Sequence, residues 1–168
     1  MEYWDIYNSE KKPTGKTMKR NDWHLKEGEY HLTVLGVIKR KSDGKFLITQ
    51  RAMTKAWAAG HWEVSGGGVM AGETSEQAVM REVLEETGLD VSSAEKELFL
   101  TYKRENPDEG DNYFVDVYLF TIEFSESDVK PQERETLGFR LASHEEIKEI
   151  ADRGEFLHYN SIKAVFDK

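Results

Sequence analysis

Hydrophobic and polar residues alternate in several stretches of the chain, a pattern typical of β-strands with one buried face. The clearest examples lie at 31–38 and 46–50, and the Asp43-Gly44 pair between them indicates a hairpin turn. Weaker strand patterns occur at 3–7, 17–20, 62–64, 98–102 and 113–124. The chain is therefore expected to build a sheet from strands that are spread over most of its length.

A helix is predicted in the middle of the chain, over residues 74–87. Thr74 and Gln77 have the spacing of a capping box, and Gly88 stands where a left-handed C-terminal cap belongs. The apolar residues that should turn toward a core are Val79, Met80, Val83 and Leu84.

The C-terminal part, residues 143–168, is also expected to be helical, with Ser143 as the N-cap and a break at Gly154. Strands that frame one central helix, followed by terminal helices, predict an α/β (α+β) layer architecture rather than a regular βαβ array. We expect a single domain, in which residues 31–168 form the body and residues 1–30 form an N-terminal hairpin extension that is peripheral to the chemistry.

The composition is that of a globular protein, with 38% hydrophobic and 33% charged residues among 168. No apolar run approaches the roughly 18 residues of a membrane-spanning helix, and the N-terminus lacks the features of a secretory signal. The absence of cysteine excludes disulfides and thiolate chemistry, and it fits a cytoplasmic location. Because the net charge is -9, we expect no polymeric nucleic acid among the partners. Because no apolar run is long enough, we also expect no membrane among them.

Three glutamates, Glu82, Glu85 and Glu86, fall on one face of the predicted helix. Like charges at this spacing cost roughly 0.2–0.5 kcal/mol a pair, and the helix dipole disfavours anions near the C-terminal end. A hard divalent cation such as Mg²⁺ or Mn²⁺ would explain the cluster, because it prefers oxygen ligands. The alternative is a solvated surface helix, but a glycine-rich segment before the helix favours close approach of a ligand.

The segment from Gly67 to Leu89 resembles the signature of the Nudix hydrolase superfamily, with every spacing correct. The matching positions are Gly67, Glu73, Arg81, Glu82, Val83, Glu85, Glu86, Gly88 and Leu89. The resemblance implies the Nudix fold, a mixed β-sheet sandwiched between α-helices. It also implies a Mg²⁺- or Mn²⁺-dependent pyrophosphohydrolase. Such an enzyme cleaves a nucleoside diphosphate linked to another group, or a similar small diphosphate, by attack of water on phosphorus.

The resemblance also carries roles to particular residues of this chain. The metal ligands would be Glu82, Glu86, Glu85 and the backbone carbonyl of Gly67. Arg81 and Glu73 match a pair that orients the loop and the catalytic glutamates. The general base stays open between Glu82 and a glutamate of a later loop, either Glu133 or Glu135.

Candidate substrate-binding residues lie outside the signature. Arg51 ends a predicted strand near the expected cleft and could bind phosphate, whereas Trp62 could stack on a base or sugar. Trp57 and Tyr102 are further candidates for stacking. For each of them, core packing or plain surface placement is the competing interpretation.

Residues 1–90 resemble, more diffusely, the branch of Nudix proteins similar to isopentenyl-diphosphate isomerase. That isomerase uses a cysteine before the signature and histidine metal ligands, but in this register Gly66 and Gly68 occupy a cysteine and a histidine position. His24 and His31 could be metal ligands, although single histidines are more often structural. The isomerase is therefore the less favoured alternative.

A second alternative is a non-catalytic Nudix module that binds a phosphorylated ligand without turnover. Loss of signature glutamates would favour it, and here all are present. The expected partner is a small diphosphate or nucleotide substrate, and a homodimer is possible through the N-terminal segment. Nucleotide sugars, dinucleotides, nucleoside di- or triphosphates and non-nucleotide diphosphates all remain candidate substrates.

Overall fold

The computed structural model describes residues 1–168 and has a seven-stranded mixed sheet at its centre. The strands of the whole chain are β1 (Tyr3–Tyr7), β2 (Pro13–Lys19), β3 (His31–Arg40), β4 (Phe46–Arg51), β5 (Trp62–Glu63), β6 (Ser65–Gly68), β7 (Glu95–Arg104), β8 (Tyr113–Ile122) and β9 (Thr136–Ala142). The helices are α1 (Ser75–Thr87), α2 (His144–Asp152) and α3 (Tyr159–Ile162). None of them combines the length and the apolar character that crossing a membrane requires.

The sheet runs in the order β5-β4-β3-β8-β7, with β6 paired to β3 and β9 paired to β4. The central pair, β3 and β8, is parallel, and the other pairs are antiparallel. Helices cover both faces of this sheet, so the predicted α/β (α+β) architecture is confirmed.

The alternation of side chains along β3 explains the two hydrophobic layers. Val34 and Ile38 face α1 and pack with Val83 in one buried cluster. Val37 points to the other face, where it joins Ile147 of α2 in a second cluster. The sheet therefore holds α1 against one face and the C-terminal helices against the other.

The caps of α1 are those that the sequence predicts. Thr74 Oγ1 accepts the N–H of Gln77 at 3.1 Å, and the Gln77 side chain accepts the N–H of Thr74 at 2.9 Å. Gly88 closes the helix in the left-handed conformation, with φ of 77°. The prediction for Leu84 is wrong, because the buried stripe continues from Val83 to Thr87 and leaves Leu84 51% exposed.

Close packing of α1 on the sheet depends on a residue without a side chain. A Cβ at Gly36 of β3 would lie 2.8 Å from Val83 Cγ2 and 3.0 Å from Val79 Cγ2. Both valines are fully buried, so neither has space to move. Gly36 therefore sets how near α1, and with it the signature glutamates, approaches the sheet.

Strands β1 and β2 form a separate two-stranded hairpin with its own apolar cluster. Its buried members, together with a residue of the following loop, are Trp4, Ile6, Met18 and Leu25. A pair of backbone hydrogen bonds between Tyr7 and Tyr30, of 2.7 and 2.9 Å, connects the hairpin to the segment that enters β3. In this structure the N-terminal segment forms a hairpin in which β2 begins earlier than expected, at Pro13.

Three other stretches differ from the sequence-based expectations. The glycine-rich segment before the helix, for which no strand was predicted, forms β6 and pairs residue by residue with β3. Strand β9 was not expected. The C-terminal part is helical only in pieces, since Gly154 has φ of 74° and Phe156 then runs beside Trp62 before α3 begins.

Candidate active site

A polar cleft of about 440 Å³ lies where α1 faces β4, β5 and β6, and Met70 is the one hydrophobic residue in its lining. Six residues named by the sequence analysis for the site line this cleft: Arg51, Gly67, Arg81, Glu82, Glu85 and Glu86. Glu135, one of the candidates for the general base, lines it as well. The volume is within the range of about 300–1,000 Å³ that is usual for small-molecule sites.

Arg81 connects the segment before α1 to the glutamates on the helix. Its guanidinium donates to both carboxylate oxygens of Glu73, at 2.7 and 2.9 Å, and to Glu82 Oε1 at 2.8 Å. It also donates to the carbonyl of Gly68 at 3.2 Å. Burial alone would raise the pKa of Glu73, but the hydrogen bonds from Arg81 and from the N–H of Met70 lower it below its ordinary value. Glu73 is therefore an ionised anchor for Arg81.

The carboxyl groups of Glu82, Glu86 and Glu63 lie close enough to influence one another. Burial raises the pKa of Glu86 well above its usual range, and the charges of Glu82 and Glu63 raise it further. Burial also raises the pKa of Glu82 despite its hydrogen bond from Arg81. A cluster of this kind favours the binding of a cation, because a cation offsets both the burial and the mutual repulsion.

The backbone at Gly67 lies directly against this cluster. A Cβ at Gly67 would stand 2.4 Å from Glu82 Oε1, so a side chain there would occupy the place of the carboxylate. Glu85 differs from its neighbours, since its side chain is 49% exposed and only reaches Arg81 at 3.5 Å. The atoms of these residues that could coordinate a metal are all oxygens, which fits a hard cation such as Mg²⁺.

The three glutamates do not form a closed cage. No group of three or more His, Asp or Glu side chains in the structure is arranged to enclose a metal ion. The pair Glu82 and Glu86 with the Gly67 backbone is an open arrangement, and Mg²⁺ commonly keeps several waters or binds substrate phosphates in such sites. The residues present therefore fit a cation that is shared between protein, water and substrate.

Arg51 is held in the cleft by Glu63, a residue that the sequence analysis did not select. Arg51 Nη1 lies 3.1 Å from Glu63 Oε2, and its Nε donates to the carbonyl of Trp57 at 3.1 Å. Burial raises the pKa of Glu63, and the charge of Arg51 opposes this. A glutamate between Trp62 and Val64 in a short apolar strand was the one available signal for this role.

The aromatic candidates lie in different places. Trp62 is not part of the cleft lining; it packs against the core on the α2 face of the sheet. Tyr102 also packs there, beside Arg104, and burial raises its pKa to about 12. These positions do not support the expected stacking of Trp62 or Tyr102 on substrate. Trp57 is 60% exposed, with its ring 5.3 Å from the guanidinium of Arg51.

Glu133 and Glu135, the two glutamates of the late loop, differ in whether they line the cleft. Glu135 lines the cleft and forms an ion pair with Lys55, which lies in the loop after β4. Glu133 is exposed and is not part of this lining. Of the two, Glu135 therefore has access to a water molecule in the cleft.

The two histidines considered as metal ligands have other surroundings. His24 is exposed, next to Asp22. His31 is buried, stacks on Trp4 with ring centroids 4.6 Å apart, and contacts Asp111 at 2.8 Å through Nε2. Neither lines the cleft.

The hairpin contributes two residues to the cleft that sequence reasoning missed. Glu2 and Arg20 both line it, although neither belongs to the signature or precedes it closely. Only the three-dimensional packing of β1 and β2 against the segment before α1 brings them there.

Comparison with known proteins identifies relatives of this chain. The family model described as the NUDIX domain matches residues 29–164. An uncharacterized Nudix hydrolase of Listeria monocytogenes is 33% identical over 168 residues, which cover 99% of this chain and 95% of that protein.

Solved structures show the same fold. DR0079 of Deinococcus radiodurans is similar with a TM-score of 0.72 and 21% identity, over 92% of this chain and 91% of that one. An Ap4A hydrolase of C. elegans is similar with a TM-score of 0.58 and 25% identity, over 73% of this chain and 86% of that one. Together with the family match over most of its length, these similarities show that the chain belongs to the Nudix family of pyrophosphohydrolases.

Proposed function

We propose that the chain hydrolyses a phosphoanhydride bond in a nucleoside diphosphate linked to another group, or in a similar diphosphate, with Mg²⁺ or Mn²⁺ as cofactor. The observation that carries this proposal is the pair Glu82 and Glu86 in a polar cleft, where the carboxylate of Glu82 lies against the Gly67 backbone. Their raised pKa values mark a place where a cation is favoured.

In this proposal Glu82 and Glu86 would be the principal metal ligands, and the carbonyl oxygen of Gly67 would be a third ligand from the protein. Glu85, at the edge of the cleft, would be a further ligand. A bound divalent cation would neutralise phosphate oxygens and acidify the attacking water. Arg81 and Glu73 act as positioning residues, because their paired hydrogen bonds fix the carboxylate of Glu82.

For the general base we propose Glu135. Both carboxylates have a cationic neighbour, Arg81 for Glu82 and Lys55 for Glu135, but Glu82 is already assigned to the metal, whereas Glu135 lies on a different wall of the cleft with a side chain that is 51% exposed. A base must reach the water that attacks phosphorus, and a partly exposed carboxylate at the edge of the cleft can do so.

The Glu135→Gln variant is therefore expected to lower kcat by about 10²-fold, because it keeps the shape of the side chain but removes the proton acceptor. Glu133→Gln is the matched control, since it makes the same change in the same loop outside the cleft. Steady-state kinetics on both variants tests the assignment. Equal, near-normal rates would return the role of base to Glu82.

Two further observations bear on the alternatives. At the isomerase's cysteine position, a Cβ on Gly66 would lie 2.5 Å from the carbonyl of Val34. At its histidine position, a Cβ on Gly68 would lie 2.7 Å from the ring of Trp4. The isomerase side chains have no space here, which favours hydrolysis, while the diffuse resemblance to that branch stays a prediction.

The proposed activity is tested by the release of phosphorylated products from a panel of compounds, resolved by anion-exchange chromatography so that nucleoside monophosphates and sugar phosphates are detected as well as free phosphate and pyrophosphate. The panel contains nucleoside di- and triphosphates, nucleotide sugars, non-nucleotide diphosphates and dinucleoside polyphosphates, which the similarity to an Ap4A hydrolase supports including. We expect release with Mg²⁺ or Mn²⁺ and none with chelator. Silence across the panel, with metal-dependent ligand binding retained in a thermal-shift assay, would favour the non-catalytic module.

A further inference from the structure

The N-terminal hairpin forms one wall of the cleft. Glu2 precedes β1 and Arg20 follows β2, and both side chains line the same space as Glu82 and Glu86. The N–H of Arg20 donates to the carbonyl of Glu2 at 3.0 Å, and its guanidinium donates to Glu2 Oε1 at 3.3 Å. The hairpin therefore presents one cation and one anion to the substrate space.

This wall is fixed to the segment that carries the signature. The ring of Trp4 covers Gly68 so closely that a Cβ there would be 2.7 Å from the indole. The N–H of Ala71 donates to the carbonyl of Tyr3 at 2.8 Å. Trp4 Nε1 in turn donates to Glu2 Oε2 at 2.7 Å, which places that carboxylate. Contacts from β1 thus hold the wall against the stretch between β6 and α1.

Four cationic side chains line the cleft, and they differ in how strongly they are held. Arg81 makes hydrogen bonds to Glu73, Glu82 and a backbone carbonyl, and Arg51 makes them to Glu63 and a backbone carbonyl. Lys55 forms an ion pair and is 28% exposed.

Arg20 has the weakest attachment of the four. One side-chain contact of 3.3 Å joins it to Glu2, and its own side chain is 58% exposed. Exposed ion pairs of this kind contribute little, whereas an arginine that binds a phosphate group with two parallel hydrogen bonds is held much more strongly. A phosphate group in the cleft would therefore compete well for Arg20.

We propose that Arg20 binds the diphosphate of the substrate and that Glu2 is its partner when the cleft is empty of substrate. The proposal rests on the proposed function for the class of ligand. The rest of the cleft is rich in carboxylates, and the whole chain carries a net charge of -9, so an anionic substrate needs cations in addition to the metal. The loosely held guanidinium of Arg20 supplies one of them.

The test is equilibrium binding of methylenediphosphonate, a diphosphate analogue that is not hydrolysed, to the full chain in Mg²⁺ by isothermal titration calorimetry. Arg20→Ala is expected to weaken binding at least about tenfold. Lys19→Ala is the matched control, because it removes the same charge from the adjacent, exposed residue outside the cleft, and it should change Kd less than about twofold.

A third variant gives an effect of opposite sign. Glu2→Gln removes the competing charge but keeps an oxygen for Trp4 Nε1, so binding of the analogue should become tighter. Equal effects of Arg20→Ala and Lys19→Ala, or no binding by the unchanged chain, would overturn the inference.

The failure of this inference and the failure of the proposed function give different results. Binding that depends on Arg20, in a chain that hydrolyses nothing in the substrate panel, contradicts only the hydrolytic activity. Metal-dependent turnover with an unchanged KM in Arg20→Ala contradicts only the role of Arg20. If both hold, Arg20→Ala raises KM more than it lowers kcat.

Discussion

The Glu86→Gln variant is expected to lose about 10³-fold in kcat while it keeps the native fold. The carboxylate lies in the floor of the cleft beside Glu82 and Glu63, where it is proposed to hold the metal. Loss of about 4 kcal/mol of transition-state stabilisation corresponds to this factor, and a catalytic metal supplies several kcal/mol. Steady-state kinetics over a range of Mg²⁺ concentrations measures the loss, and Glu82→Gln should behave in the same way.

The same substitution should raise the stability of the metal-free protein at neutral pH. Because the pKa of Glu86 is higher in the folded than in the unfolded chain, its ionisation costs the folded state stability as the pH rises above the ordinary carboxyl pKa. Glutamine has no such cost. The midpoint of urea unfolding in chelator should therefore rise, in accord with the general tendency of functional sites to be less than optimally stable.

Glu76→Gln is the control for both measurements, because Glu76 is an exposed residue in the first turn of the same helix. It should leave kcat within about twofold. Any modest loss of stability there comes from the favourable position of an anion at a helix N-terminus. Near-normal turnover in both Glu82→Gln and Glu86→Gln would remove the proposed metal site.

The parts of the site that the sequence predicted are local in the chain. The caps of α1, the placement of Glu82 and Glu86 on one face, and the spacing of Arg81 from them follow from helical geometry. These features depend on residues fewer than ten positions apart, so a periodic pattern and a motif are sufficient to predict them.

The parts that were missed depend on contacts between distant segments. Glu63 acquires its place only when β5 pairs with β4 and brings Arg51 beside it. Arg20 reaches the cleft because the hairpin packs against the segment before α1, where Trp4 covers Gly68. Hydrophobic periodicity does not indicate which distant segments will pack together. From the sequence alone, residues 1–30 were therefore predicted to be a peripheral extension.

The hairpin has a further contact with the sheet, between Lys11 in its turn and Asp116 in β8. Lys11 Nζ lies 2.7 Å from Asp116 Oδ1, and the Asp116 side chain is 1% exposed. The hydroxyls of Ser75 and Thr101 donate to the same carboxylate at 2.6 and 2.7 Å. Asp116 thus joins the hairpin to the first residue of α1, and Lys11 is the cation that balances its charge.

Lys11→Met is expected to lower the free energy of unfolding by about 3 kcal/mol, because it leaves a buried carboxylate without its cation. Urea denaturation measures this loss. Lys12→Met is the matched control: Lys12 is the adjacent residue, 72% exposed, and its ion pair with Glu10 is long, at 3.7 Å. The free energy of unfolding of that variant should lie within about 0.5 kcal/mol of the value for the unchanged chain.

The double variant Lys11→Met, Asp116→Asn separates the loss of an ion pair from the loss of the lysine's packing. Removing the carboxylate as well should recover most of the lost stability, since the cost comes from the uncompensated charge. No recovery would mean that the aliphatic part of Lys11, rather than its charge, holds the hairpin. Because the hairpin carries Arg20, folded Lys11→Met should also bind methylenediphosphonate more weakly than Lys12→Met. Unchanged affinity would show that the contact of Trp4 with Gly68 is sufficient to keep this wall of the cleft in place.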